Sequence, residues 1–206
     1  MLRFFFSKGS SAVAAHILLE EVGADYESVE VDISRGDHLR PGFLSRNPKG
    51  RIPVLETPKG RITENPAILE YIAATHPKAG CLPTGDFEQA QARSLCAYLC
   101  ATAHVALAHG HRGSRWAAEA TSIRDMQSLV SENMAECARL LEAQLTLDPW
   151  ALGRSYSFCD PYLFQFSRWL ISSGVPVEDY ARLAAHRRTV LDRPATRKVL
   201  ALHGVC

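Results

Sequence analysis

Three serines crowd one short turn, Ser7-Lys8-Gly9-Ser10-Ser11, between an apolar run and a helical pattern, and Ser10 or Ser11 is the expected cap of that helix. A second helix start is written in Glu64-Asn65-Pro66, where Asn is a good cap and Pro fits the first turn. A helix N-terminus gathers unpaired N–H groups and positive dipole, so this end doubles as a site for an anion, and Glu64 adds an acceptor for a cation. Arg35 and Lys49 are loop cations. Cys96, Cys100 and His104 recur at four-residue spacing on one helix face. A soft metal would suit them, but a Cys and Ala stripe is more often core, so no metal is expected. His109, His111, Arg112, Arg115 and Trp116 form a polar aromatic turn that either lines a pocket or caps a helix. Ser157 with Asp160 reads as a capping box, and the loss of Asp160 is expected to cost about 1 kcal/mol.

The elements that must position these groups alternate over the first eighty residues. A strand at 2–6 precedes a helix from Ala12 to Glu21 stopped by Gly23. Alternation at 26–33 predicts a second strand, and 38–45 a short helix or irregular turn. Residues 52–56 and 61–62 flank the hairpin signal Thr57-Pro58-Lys59-Gly60, and a helix then runs from Glu64-Asn65-Pro66 to His76-Pro77. The order is β-α-β-α-β-β-α. Proline and glycine then thicken, as in a linker. Beyond it helical periodicity covers about 87–109, 116–147, 160–173, 177–191 and 195–202. The expected division is an α/β domain at 1–77, a linker at 78–86 and an all-helical domain at 87–206.

Composition excludes several classes. The chain has 206 residues, 47% apolar and 22% charged, with a net charge of +1. That balance predicts no nucleic-acid or membrane-surface partner. No apolar run approaches the ~20 residues of a membrane span, and 2–6 is too short for a signal-peptide core. Cys81, Cys96, Cys100, Cys137, Cys159 and Cys206 are scattered without a CxxC pair, as in a cytoplasmic protein with reduced thiols.

Three segments resemble the glutathione transferase superfamily along essentially the whole chain. Asn47-Pro48-Lys49-Gly50-Arg51-Ile52-Pro53-Val54-Leu55 is similar to its NPxGxVPxL loop and strand. Thr63-Glu64-Asn65-Pro66-Ala67-Ile68 is similar to its E-S-x-A-I helix opening, with Asn65 in place of the usual Ser. Ser157-Phe158-Cys159-Asp160-Pro161-Tyr162 is similar to its late capping box and staple. The first-helix opening Gly9-Ser10-Ser11-Ala12-Val13-Ala14-Ala15-His16-Ile17 resembles the bacterial beta-type members, with Ser11 where those enzymes often carry Cys.

The resemblance implies a thioredoxin-like N-terminal domain, an all-α C-terminal bundle holding an electrophile pocket, and a homodimer. It also implies glutathione as co-substrate, with no other cofactor. A cis Ile52–Pro53 bond would leave the Ile52 backbone free to pair with the cysteinyl unit. Glu64 and Asn65 would receive the γ-glutamyl end, Lys49 or Arg35 the glycine carboxylate, and His104 would contact the ligand. Phe4-Phe5-Phe6 offers no hydroxyl where many members have Tyr, so the groups that would activate the thiol are Ser11, Ser10 and Ser7, in that order. Without a cysteine in that turn, a mixed disulfide there is not expected. The implied activity is conjugation of the glutathione thiolate to a small hydrophobic electrophile. The alternatives are another glutathione-dependent reaction (isomerisation, dehalogenation, ether cleavage, peroxide reduction) or a non-catalytic binding protein of this fold.

Overall fold

The computed structural model describes residues 1–205, so Cys206 lies outside the described residues. Four strands form one sheet: β1 (Leu2–Phe6), β2 (Tyr26–Glu30), β3 (Val54–Thr57) and β4 (Gly60–Thr63), in the spatial order β2-β1-β3-β4. β1 runs parallel to β2, with Phe4 opposite Ser28, and antiparallel to β3, with Phe4 opposite Leu55. β3 and β4 close the hairpin. The period of two explains the triple Phe. Phe4 and Phe6 enter the main core, whereas Phe5 faces the other side against Phe43, Val31 and Val54.

The helix α1 (Ala12–Glu21) is buried on every side from Ala12 to Leu19. It has no solvent face because it lies among α3 (Asn65–Thr75), α8 (Asp160–Ser172) and α10 (Pro194–His203), which join the sheet-bearing part to the helical part. A short helix α2 (Pro41–Leu44) precedes the Asn47 loop, and α4 (Asp86–Tyr98) opens the helical part. α5 (His104–Arg112), α6 (Ala120–Ser128), α7 (Val130–Gln144) and α9 (Ala181–Leu191) complete it. This is the α/β part with an all-helical partner that the element order predicts, and its sheet is the thioredoxin-like one that the resemblance implies.

Several boundaries differ from the periodicity. β2 ends at Glu30 rather than 33, because the Asp32 carboxylate accepts from the N–H groups of Ser34 (2.9 Å) and Arg35 (3.2 Å) and turns the chain. The expected helix at 87–109 is α4 and α5 with a π-turn, Leu99–Ala103, between them. The expected helix at 116–147 is α6 and α7, broken at an exposed Leu129. No described helix is long and apolar enough to cross a membrane. Cys81, Cys96, Cys100, Cys137 and Cys159 are free thiols.

Candidate functional site

A cavity of about 460 Å³ opens where the first turns of α1 and α3 face α5 and α8. Gly9, Ser10, Ser11, Asn47, Ile52, Pro53, Glu64 and Asn65 line its sheet side. The two hydroxyls in that turn do different work. Ser10 Oγ donates to the Ser7 carbonyl (2.8 Å) and accepts from the Ala12 N–H (3.2 Å), which is local capping. Ser11 occupies the cap position of α1, yet its hydroxyl has no hydrogen bond among the described residues. It is left free for the cavity. Ser7 contributes its carbonyl to the turn and does not line the cavity.

The Ile52–Pro53 bond is cis. Ile52 precedes the first ladder pair, Phe5 with Val54, and among the described residues its N–H and C=O are unpaired. Asn47, almost fully buried, holds this loop by donating to the Arg51 carbonyl (2.6 Å) and accepting from the Lys49 N–H (3.2 Å).

Glu64 sits at φ 73°, ψ 126°, a conformation that costs a non-glycine residue about 1–3 kcal/mol and clusters at binding sites. Asn65 is therefore not the cap that Asn-Pro grammar suggests. It lies inside the first turn of α3, and its Nδ2 donates to the Ser11 carbonyl (3.0 Å) while its Oδ1 is buried without a partner among the described residues. One side chain thus ties the two helix ends together and keeps an acceptor in reserve.

The two cations expected to meet a carboxylate do not line the cavity. Arg35 is exposed in the turn set by Asp32. Lys49 Nζ is taken by Glu64 and by Thr63 Oγ1 (2.7 Å), so Lys49 and Glu64 neutralise one another across the loop. Arg51 lines the cavity instead. Its signal was in the same motif, one residue beyond the glycine, but alternation could not say which basic side chain turned inward.

The helical wall carries Cys100, His104, His111, Arg112, Arg115, Trp116, Tyr162 and Trp169. His104 stacks on Trp169 at 4.7 Å and 8°, and burial, then Arg112 and Arg51, lower its pKa to about 4. It is neutral at pH 7 and presents a flat face. Cys100 has its thiol pKa raised by burial, while Cys96 four residues earlier is in the core. No cluster of three metal-binding side chains occurs among the described residues. His109, grouped with the lining turn in the sequence, packs edge-on against Trp116 (4.7 Å, 90°) and props that ring rather than lining the cavity.

Ser157 and Asp160 do not form the full capping box. Asp160 reaches back to the Ser157 N–H (2.7 Å), but the Ser157 hydroxyl donates to the same carboxylate (3.1 Å). The Ala151 N–H (2.8 Å) and His186 Nε2 (2.9 Å) complete a buried cluster that fixes the start of α8.

Comparison with known proteins bears on the fold and the family. A family model described as the glutathione S-transferase N-terminal domain matches residues 4–74. A solved glutathione transferase homologue from Sulfitobacter, with bound glutathione, is 39% identical, with TM-score 0.96 over 100% of this chain and 99% of that one. A sphingomonad glutathione S-transferase complexed with glutathione is 31% identical, with TM-score 0.85 over 99% and 100%. A maleylacetoacetate isomerase of Rhizobium meliloti is 31% identical over 68% of this chain and 67% of the relative.

Proposed function

The chain belongs to the glutathione S-transferase family, and on that premise we propose that it binds glutathione and conjugates the thiolate to a small electrophile. The observation that carries this reading is the unbonded Ser11 hydroxyl at the α1 N-terminus, in one cavity with the unpaired Ile52 backbone and Asn65. The Ile52 N–H and C=O pair with the cysteinyl unit. The γ-glutamyl carboxylate meets the α3 N-terminus, and its ammonium meets Asn65 Oδ1. Arg51 takes the glycine carboxylate in place of Lys49 or Arg35. Ser11 and the α1 dipole stabilise the thiolate, whose free pKa is about 8.5. With a chloroarene acceptor, the sulfur pair forms the C–S bond and chloride leaves with the C–Cl pair. The chain acts as a cytoplasmic homodimer.

The test is turnover of 1-chloro-2,4-dinitrobenzene together with thiolate absorbance of bound glutathione. Ser11→Ala lowers kcat/KM at neutral pH about 10- to 100-fold and raises the pKa of the bound thiol, the size of one hydrogen bond to a charged group. Ser10→Ala costs about 0.5–2 kcal/mol of stability, because its hydroxyl is a cap. An unmoved thiol pKa in Ser11→Ala refutes the assignment.

A second reading, isomerisation, is favoured by the relatives named maleylacetoacetate isomerase. In that reaction the thiolate adds to a conjugated double bond, the bond rotates, and the thiolate leaves again. Glutathione regenerated with no net consumption separates it from conjugation.

A further inference from the structure

From the charges around the cavity we infer that the electrophile is itself an acid: a conjugated compound whose carboxylate is held by Arg112 and Arg115. This rests on the glutathione reading above and replaces the small hydrophobic electrophile that the family resemblance implies.

Three guanidinium groups, Arg51, Arg112 and Arg115, line one cavity, and none of them has an ion pair among the described residues. The carboxylate in the lining, Glu64, is already neutralised by Lys49. Glutathione brings a glycine carboxylate for Arg51 and a thiolate for Ser11. Nothing in that tripeptide answers the other two arginines, which lie on the helical wall at the end of α5 and the turn after it.

Arg112 feels the imbalance directly. Its pKa is lowered first by desolvation and then by Arg115 and Arg51, with no carboxylate opposing them. Like charges held together in a partly desolvated wall are costly unless an anion bridges them, and the planar guanidinium fork suits a carboxylate in two-point contact. The surfaces beside the pair are flat: Trp116, held by His109, and the stacked His104 and Trp169. Neutral His104 adds no charge of its own but accepts a π-system on its face. An acidic, conjugated or aromatic electrophile fits both features. On an unsaturated acid the thiolate forms a C–S bond at the β-carbon. The π-pair moves to the carbonyl as an enolate, which takes a proton from water at the α-carbon.

The experiment measures binding of two glutathione conjugates by calorimetry. One is S-(4-carboxy-2-nitrophenyl)glutathione and the other its aryl methyl ester, so the probes differ by one charge and do not require turnover. The acid is expected to bind at least about tenfold more tightly than the ester, and the ratio falls to about one in Arg112→Gln/Arg115→Gln. Both side chains line the cavity and are solvent-exposed, and the melting temperature of the double variant checks that it folds. Equal affinities in the unmodified protein, or a preference that survives the double substitution, overturn the inference while leaving glutathione binding intact. If glutathione and both conjugates fail to bind, the proposed function itself falls and this inference with it.

Discussion

Asp160→Ala is expected to lower the free energy of unfolding by about 3–5 kcal/mol, because it strips several buried donors of the one carboxylate they share. The sequence grammar predicts about 1 kcal/mol for an ordinary helix-start residue. The structure raises the figure because the carboxylate is fully buried and satisfies several donors at once: the N–H groups of Ala151 and Ser157, the Ser157 hydroxyl and His186 Nε2. Alanine leaves those donors unpaired in the core, and each orphan costs about 1–3 kcal/mol. Asp160→Asn keeps one acceptor oxygen and should fall between the two. Urea unfolding at neutral pH checks this through a shifted midpoint with an unchanged slope. A loss near 1 kcal/mol would mean that the cluster acts as a simple cap. Because α8 carries Tyr162 and Trp169 into the cavity, the variant should also bind the electrophile less well.

The order of elements was legible because strand and helix periods are local. The triple Phe, the Asn47 to Leu55 loop and the Glu64-Asn65-Pro66 opening all sit in the elements expected of them. Side-chain direction was less legible. Lys49 and Arg51 are two residues apart in one loop, and only the fold shows that Lys49 turns to Glu64 while Arg51 turns inward. Ser10 and Ser11 are equally good caps on paper. The bond from Ser10 to the Ser7 carbonyl decides which hydroxyl is spent. Asn65 reads as a cap until the left-handed backbone at Glu64 displaces it into the helix. The contact between the Gly9 turn and His203, at opposite ends of the chain, left no sequence signal at all.

That contact is expected to make the protein sensitive to acid. The Gly9 N–H donates to His203 Nδ1 (3.2 Å), so the His203 proton is on Nε2 and is given to His16 Nδ1 (2.9 Å). His16 then carries its own proton on Nε2, which is buried without a partner among the described residues. The relay works only with both rings neutral, because an added proton on either Nδ1 would face a donor. Phe4, Phe6 and the edge of Tyr26 close around the pair. Burial lowers His16 to about 4, with Glu20 opposing and Lys198 assisting. Burial, then His16, Arg168 and Lys8, lower His203 to about 3. Both folded values lie below the unfolded 6.5 or so. Their contribution is therefore complete above about pH 6.5 and is lost as the pH falls toward their folded values. His104, lowered to about 4, adds to the same window.

Each such histidine steepens the profile by up to about 1.4 kcal/mol per pH unit, so the three approach about 4 kcal/mol per unit. Against a typical total of about 5–15 kcal/mol, a loss on that scale makes the protein acid-labile between about pH 6.5 and pH 4. His203→Phe keeps a ring of similar size and removes the relay. Urea titrations across this range should show its slope reduced by up to about 1.4 kcal/mol per pH unit, the share of His203 alone, since burial still holds His16 neutral. At neutral pH the same variant leaves the Gly9 N–H without its acceptor, costing about 1 kcal/mol and raising the KM for glutathione as the Ser11 turn loosens. A pH profile that matches the parent would show that the two rings are inert filling.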